Sequence, residues 1–147
     1  MQPQAADEAL QALARQISPH VHLGTSSWSF PGWRGLVWSD THSEALLARD
    51  GLRAYAAHPL LRTVSIDRSF YRPMTAEQYA LYAAQVPEDF RFIVKAPALV
   101  TDAVLRAGDG RGVQANPAFL DPATATEAFV QPALDGLGRK IGALVFE

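Results

Sequence analysis

The sequence predicts an α/β fold built on parallel strands, and three observations lead there. Residues 63–97, TVSIDRSFYRPMTAEQYALYAAQVPEDFRFIVKAP, read as strand, turn, helix, turn and strand. Such a β-α-β stretch joins parallel strands by a right-handed crossover. Helical patterns also precede the alternating segment at 20–25 and the apolar run at 141–146. Helix and strand periods thus alternate along the chain, as they do where helices cover a parallel sheet.

Residues 5–17 carry Ala6, Leu10, Leu13, Ala14 and Ile17 at helical spacing. They predict an amphipathic helix that covers one end of the fold and stops at Ser18-Pro19. Residues 20–25, HVHLGT, alternate and form the first strand, which closes in Gly24-Thr25-Ser26-Ser27. Trp28, Phe30, Trp33 and Trp38 follow among Pro31, Gly32 and Gly35, so no periodic face accommodates them. They pack as a plug over the end of the fold, or some rings form a stacking wall for a sugar or a base. After polar residues 39–42, residues 45–47 form a helical turn. Asp50 is placed to cap a helix over 51–58, with Leu52, Tyr55 and Ala56 inward and Pro59 at its end.

In the strand at 63–67, Val64 and Ile66 point one way and Ser65 and Asp67 the other. Asp67-Arg68-Ser69 breaks the pattern, and Phe70-Tyr71-Arg72-Pro73 forms an aromatic turn. Thr75 and Gln78 have the spacing of a capping box. Tyr79, Tyr82, Ala83 and Val86 then recur at helical spacing until Pro87 stops them. Glu88-Asp89 turns the chain into a second strand at 90–95. Asp67 and Lys95 therefore close two neighbouring strands, which lie about 5 Å apart in a sheet. Ligands of α/β sheets and barrels bind at that carboxyl edge. The two side chains either tie the strand ends as an ion pair or supply an acid or base beside a nucleophilic or anion-binding lysine.

Residues 101–122 hold Gly108, Gly110, Gly112, Asn116 and Pro117 and show little periodicity after Leu105. They predict an excursion loop, a lid or rim at the carboxyl edge. The run GDGRG within it lacks the ending and the strand-to-helix setting of a phosphate loop. From Thr124 a helix resumes with Ala128, Phe129, Leu134 and Leu137 inward, kinked or restarted at Pro132 and ended by Gly136 and Gly138. Residues 141–146 are the fourth strand, with Glu147 after it.

The 147 residues carry a formal charge of −2, are 48% hydrophobic and include no cysteine. They suit one globular domain over 20–147, preceded by a helical extension over 1–19. No thiolate chemistry or disulfide framework is available. No signal-peptide pattern or membrane-length apolar run occurs, so no membrane is expected and the cytoplasm is the expected compartment. The slightly acidic balance argues against bulk-charge binding of nucleic acid. His20, His22, His42 and His58 lack any ligand spacing, so no metal is expected, and nothing in the sequence names a cofactor.

The segments GTSSWSFPGW, SIDRSFYRPM, PEDFRFIVKAP and LGRKIGALVFE together resemble the family called domain of unknown function 72, the YecE-like proteins. The resemblance spans nearly all of residues 21–147. Its opening motif falls on Gly24, Thr25, Ser26, Trp28 and Trp33. Its second-strand motif, Glu-x-Asn-x-Ser/Thr-Phe-Tyr, meets Ser65 in place of the Glu and Asp67 in place of the Asn, while Ser69, Phe70 and Tyr71 fit. Its third-strand motif matches Phe90, Phe92, Lys95 and Pro97. The resemblance implies a TIM-type (β/α) barrel, of which this chain would supply about the first four βα units. A closed barrel takes about 250 residues. A half or truncated barrel is therefore expected, with open edges that favour self-association. No activity comes with the family.

Three functions compete. The first is a barrel enzyme acting on a small polar substrate, sugar-like or phosphorylated. Asp67 would be its acid or base, Lys95 its charge stabiliser or Schiff-base nucleophile and Tyr71 a donor. Ser26, Trp28, Trp33, Arg68, Ser69 and Phe70 would line the substrate site. The second is nucleic-acid binding through Arg34, Arg68 and Arg72 beside Trp28, Trp33, Phe70 and Tyr71. The third is a truncated, non-catalytic fragment.

Overall fold

The computed structural model describes residues 1–108 and 110–147. Asp109, part of the GDGRG run expected in the excursion loop, lies outside the described residues.

Helix α1 (Glu8–Gln16) starts at Asp7, whose side chain accepts a hydrogen bond from the Leu10 N–H. None of its residues is buried. A backbone strap holds the N-terminus instead, with Gln4 N donating to Val37 O at 2.9 Å. Strand β1 (Leu23–Thr25) is shorter than the expected 20–25, because Val21 N–H turns back to Ser18 O. A 3-10 turn at Pro31–Trp33 precedes α2 (Glu44–Asp50) and α3 (Leu52–Ala56). Ser43 caps α2, a full helix where one turn was expected. Asp50 does not cap α3; Gly51 holds that position without a side-chain bond, and the Asp50 carboxylate pairs with Arg49 at 2.9 Å.

Strand β2 (Leu61–Ile66) is followed by α4 (Arg68–Tyr71), a single helical turn in place of the expected aromatic turn. Helix α5 (Ala76–Ala83) carries the Thr75–Gln78 capping box, and β3 (Arg91–Lys95) follows. After α6 (Ala98–Thr101), the expected loop contains an antiparallel hairpin of β4 (Val104–Arg106) and β5 (Gly112–Ala115). Strands this short leave almost no alternation to detect. The Asn116 side chain fastens the hairpin by donating to Leu99 O at 2.8 Å and Asp102 O at 2.7 Å.

Helix α7 (Pro122–Ala125) runs through a π turn, Thr126–Val130, into α8 (Gln131–Leu137). Pro132 has no N–H for the Ala128 carbonyl and its ring crowds that group, so the preceding turn widens. Gly136 lies inside α8 rather than ending it. A Cβ there would collide with the Ala76 carbonyl oxygen and Tyr79 Cβ, so the glycine lets α5 and α8 touch. The helix ends at Gly138, with φ of +54°, and β6 (Ile141–Val145) completes the sheet.

The four-stranded sheet has the order β1-β2-β3-β6 and every pair is parallel. Burial alternates along β2 and β3. Val64, Ile66, Phe92 and Val94 are fully buried and pack with Tyr55 of α3, Tyr79 of α5 and Phe129, Ala133 and Leu137 around α8. Ser65, Ile93 and Lys95 project from the opposite face and are only half-buried. The core thus lies on one side of the sheet.

Candidate functional site

The site begins where β1 crosses β2. A Cβ on Gly24 would overlap the Thr63 carbonyl, so only glycine permits this close register. Tyr55 Oη then pins the end of β1 to β2, accepting from Thr25 N–H at 3.1 Å and donating to Thr63 O at 3.0 Å. Burial pushes this phenol's pKa up, and its bonds to Thr25 offset part of the rise.

Beyond Thr25 the chain folds into a serine-rich turn. Thr25 Oγ1 donates to Ser27 O at 2.7 Å, and Ser27 Oγ lies 3.0 Å from Ser29 Oγ. Trp28 is buried, its indole N–H on Ala48 O at 3.2 Å and its ring edge-on to Tyr82 at 5.1 Å. A cavity of about 230 Å³ opens here, lined by Ser26, Trp28, Ser65, Asp67, Arg68 and Tyr82 among others. It joins four residues expected at the site: Ser26, Trp28, Asp67 and Arg68. The Asp67 carboxylate accepts a hydrogen bond from Ser65 Oγ. A second cavity of about 300 Å³ shares Ser26, Ser27 and Ser29 with the first and reaches Phe30, Trp33 and Glu44.

Lys95 takes a different partner from the one expected. Its Nζ lies 3.3 Å from Glu147 Oε2 and 4.8 Å from the centre of the Phe70 ring. Among the described residues no ion pair joins Asp67 to Lys95. Ser69, expected to touch substrate, is wholly buried, donating to Ile66 O at 2.8 Å and Lys95 O at 2.6 Å. It clasps the ends of β2 and β3 from behind. Tyr71 is 84% exposed, edge-on to Phe70, and lines neither cavity.

The aromatic segment divides its roles. Trp38 is fully buried, and its indole N–H bonds Phe30 O at 3.0 Å. Trp33 packs between Trp38 and Tyr55, which leaves Phe30 as the most exposed ring of the four. With both Trp28 and Trp33 held in the packing, the surface offers fewer stacking platforms for nucleic-acid bases than the sequence suggested.

Ser27, Ser29, Ser65, Tyr82 and Glu44 were not singled out as lining residues from sequence. The run Thr25-Ser26-Ser27-Trp28-Ser29 and the i, i+2 spacing of Ser65 and Asp67 were the available signals. A larger hollow, about 580 Å³, lies elsewhere, beneath the N-terminal strap and beside Leu10, Leu36 and Leu60. Its lining is mostly apolar and excludes Asp67 and Arg68, so the strand-end cavities hold more chemistry. Among the described residues no cluster of three or more His, Cys, Asp or Glu could hold a metal ion, and no helix is long and apolar enough to cross a membrane.

Residues 22–147 match the family described as Protein of unknown function DUF72. The chain is similar to a crystal structure of a DUF72 family protein from Enterococcus faecalis V583. The TM-score is 0.58 at 20% identity, over 85% of this chain and 38% of that one. A second crystal structure of that protein gives a TM-score of 0.49 at 21% identity, over 67% of this chain and 35% of the other. The present chain thus spans well under half the length of that solved protein. No curated protein matches it.

Proposed function

The chain belongs to the DUF72 family, and we propose that it binds a small polar substrate, sugar-like or phosphorylated, at the carboxyl ends of its parallel strands. One observation carries this reading: Ser26, Trp28, Asp67 and Arg68, drawn from two strand ends, line a single cavity. Parallel α/β sheets bind ligands at this edge because loops there are free to vary above a rigid frame. Asp67 would be the acid or base, oriented by Ser65. Lys95, held by Glu147 over Phe70, lines neither cavity and would meet negative charge only on a part of the substrate that extends beyond them.

The finer architecture follows the same reading. Four parallel strands with helices on one face and a half-buried opposite face correspond to half of a TIM-type (β/α) barrel, which closes with eight strands in about 250 residues. Residues 20–147 would form this partial barrel and 1–19 its helical extension, consistent with an α1 that buries no residue. The edges of β1 and β6, which no strand pairs among the described residues, would pair with a second copy of the chain.

A screen of simple sugars and sugar phosphates, read as ligand-induced rises in melting temperature, tests the binding site. Hits should lose the rise in Asp67→Asn and keep it in Arg72→Gln, which changes an exposed residue that lines neither cavity. Hits that survive Asp67→Asn unchanged, or no hits at all, would sink the proposal.

A further inference from the structure

We propose that the two cavities are adjoining subsites for one neutral polyhydroxyl ligand of disaccharide length, laid across the ridge formed by Ser26, Ser27 and Ser29. This rests on the reading of the strand ends as a substrate site and narrows the class of substrate.

Three observations support it. First, the cavities share the ridge serines, so a ligand filling one reaches the other without leaving the wall. Their volumes of about 230 and 300 Å³ together match small-ligand pockets, which run from about 300 to 1,000 Å³.

Second, the ridge is amphoteric. Between Ser27 Oγ and Ser29 Oγ, 3.0 Å apart, either atom can donate. Among the described residues Ser26 Oγ has no partner within the protein. A hydroxyl that both gives and accepts matches sugar hydroxyls, which do the same. Aromatic residues contribute to the lining on both sides, Trp28 and Tyr82 in one cavity and Phe30, 56% exposed, with Trp33 in the other.

Third, the charge balance disfavours a phosphate. Asp67 and Arg68 line one cavity and Glu44 lines the other, which leaves a formal charge of −1 over the two. A dianion would meet a carboxylate in each cavity and a guanidinium in only one. Carboxylates accept instead from the hydroxyl groups of a neutral sugar.

Calorimetric titration of the whole chain with glucose, galactose and xylose, with maltose, cellobiose, lactose and xylobiose, and with glucose 6-phosphate tests this. At least one disaccharide should bind tenfold or more tightly than its component monosaccharide. Glu44→Gln and Phe30→Ala should erase that gain, Asp67→Asn should weaken mono- and disaccharide binding alike, and Arg72→Gln, outside both cavities, should change neither. Glu44 is exposed and Phe30 is 56% exposed, so both variants should fold, and their thermal melts verify it. If mono- and disaccharides bind equally, the second subsite is overturned and the substrate cleft stands. If glucose 6-phosphate binds best and Arg68→Met abolishes this, the neutral class is overturned and the cleft again stands. If nothing in the panel binds, both proposals fall.

Discussion

Ser69 Oγ lies 2.6 Å from the carbonyl oxygen of Lys95 and 2.8 Å from that of Ile66, so one buried hydroxyl spans the carboxyl ends of β2 and β3. Both carbonyls belong to strand ends from which candidate site residues project. Ser69→Ala should therefore cost about 1–3 kcal/mol, the penalty for leaving buried acceptors without a donor. Urea denaturation measures it as a lower midpoint at unchanged slope. An unshifted midpoint would mean that the strand ends hold without the clasp.

Lys140 is 9% exposed and donates to Ala83 O and Val86 O, both at 2.9 Å. It closes the carboxyl end of α5, where a cation suits the unpaired carbonyls. Its ion pair with Glu88 at 3.1 Å is exposed on the acid's side, where Glu88 is 92% accessible. Lys140→Met should cost about 1–3 kcal/mol, whereas Glu88→Gln should cost no more than about 0.5 kcal/mol. Equal losses in the two variants would assign the stability to the ion pair instead of the carbonyl cap.

At Gly136 two expectations have opposite signs. Helix propensity alone favours alanine over glycine by about 1 kcal/mol. A Cβ at this position would strike the Ala76 carbonyl and Tyr79, and overpacking of that kind costs about 1–3 kcal/mol. Gly136→Ala should therefore destabilise, and a raised melting temperature would show that α5 and α8 can separate freely.

His58 supplies the pH dependence. Its Nδ1 accepts from Leu60 N–H at 3.3 Å, and burial lowers its pKa below 6.5. Well above pH 6.5 the ring is neutral in both the folded and unfolded chain, and no stability is lost. As pH falls from there toward the lowered folded value, the unfolded chain takes up the proton first, so stability declines. The melting temperature of wild type should therefore fall more between pH 7.5 and 5 than that of His58→Gln. Parallel curves for the two proteins would rule out this contribution.

The open face of the sheet gives a prediction in solution. Sedimentation equilibrium should find twice the mass of one chain. Val145→Glu should restore the single-chain mass, because Val145 is paired in register with Lys95 on that face. A wild-type monomer with a cooperative melt would show that the edges of β1 and β6 need no second copy.

Much of the fold was legible because local physics carries it. The capping box at Thr75 and Gln78, the stop at Pro87 and the alternation of Val64 and Ile66 against Ser65 and Asp67 each depend on residues close together in the chain. Those features determined the β-α-β unit, the parallel sense of its strands and the edge where Asp67 stands. Partners across the fold were not legible in the same way. Only the tertiary structure decided that Lys95 meets Glu147 rather than Asp67, that Ser69 turns inward while Arg68 lines a cavity, and that three serines divide two hollows. Periodicity identifies the face a side chain occupies, but depth and distant neighbours depend on strand register and helix packing. At Gly136 the same limit shows most plainly: a residue that ends helices locally serves here to let two helices meet.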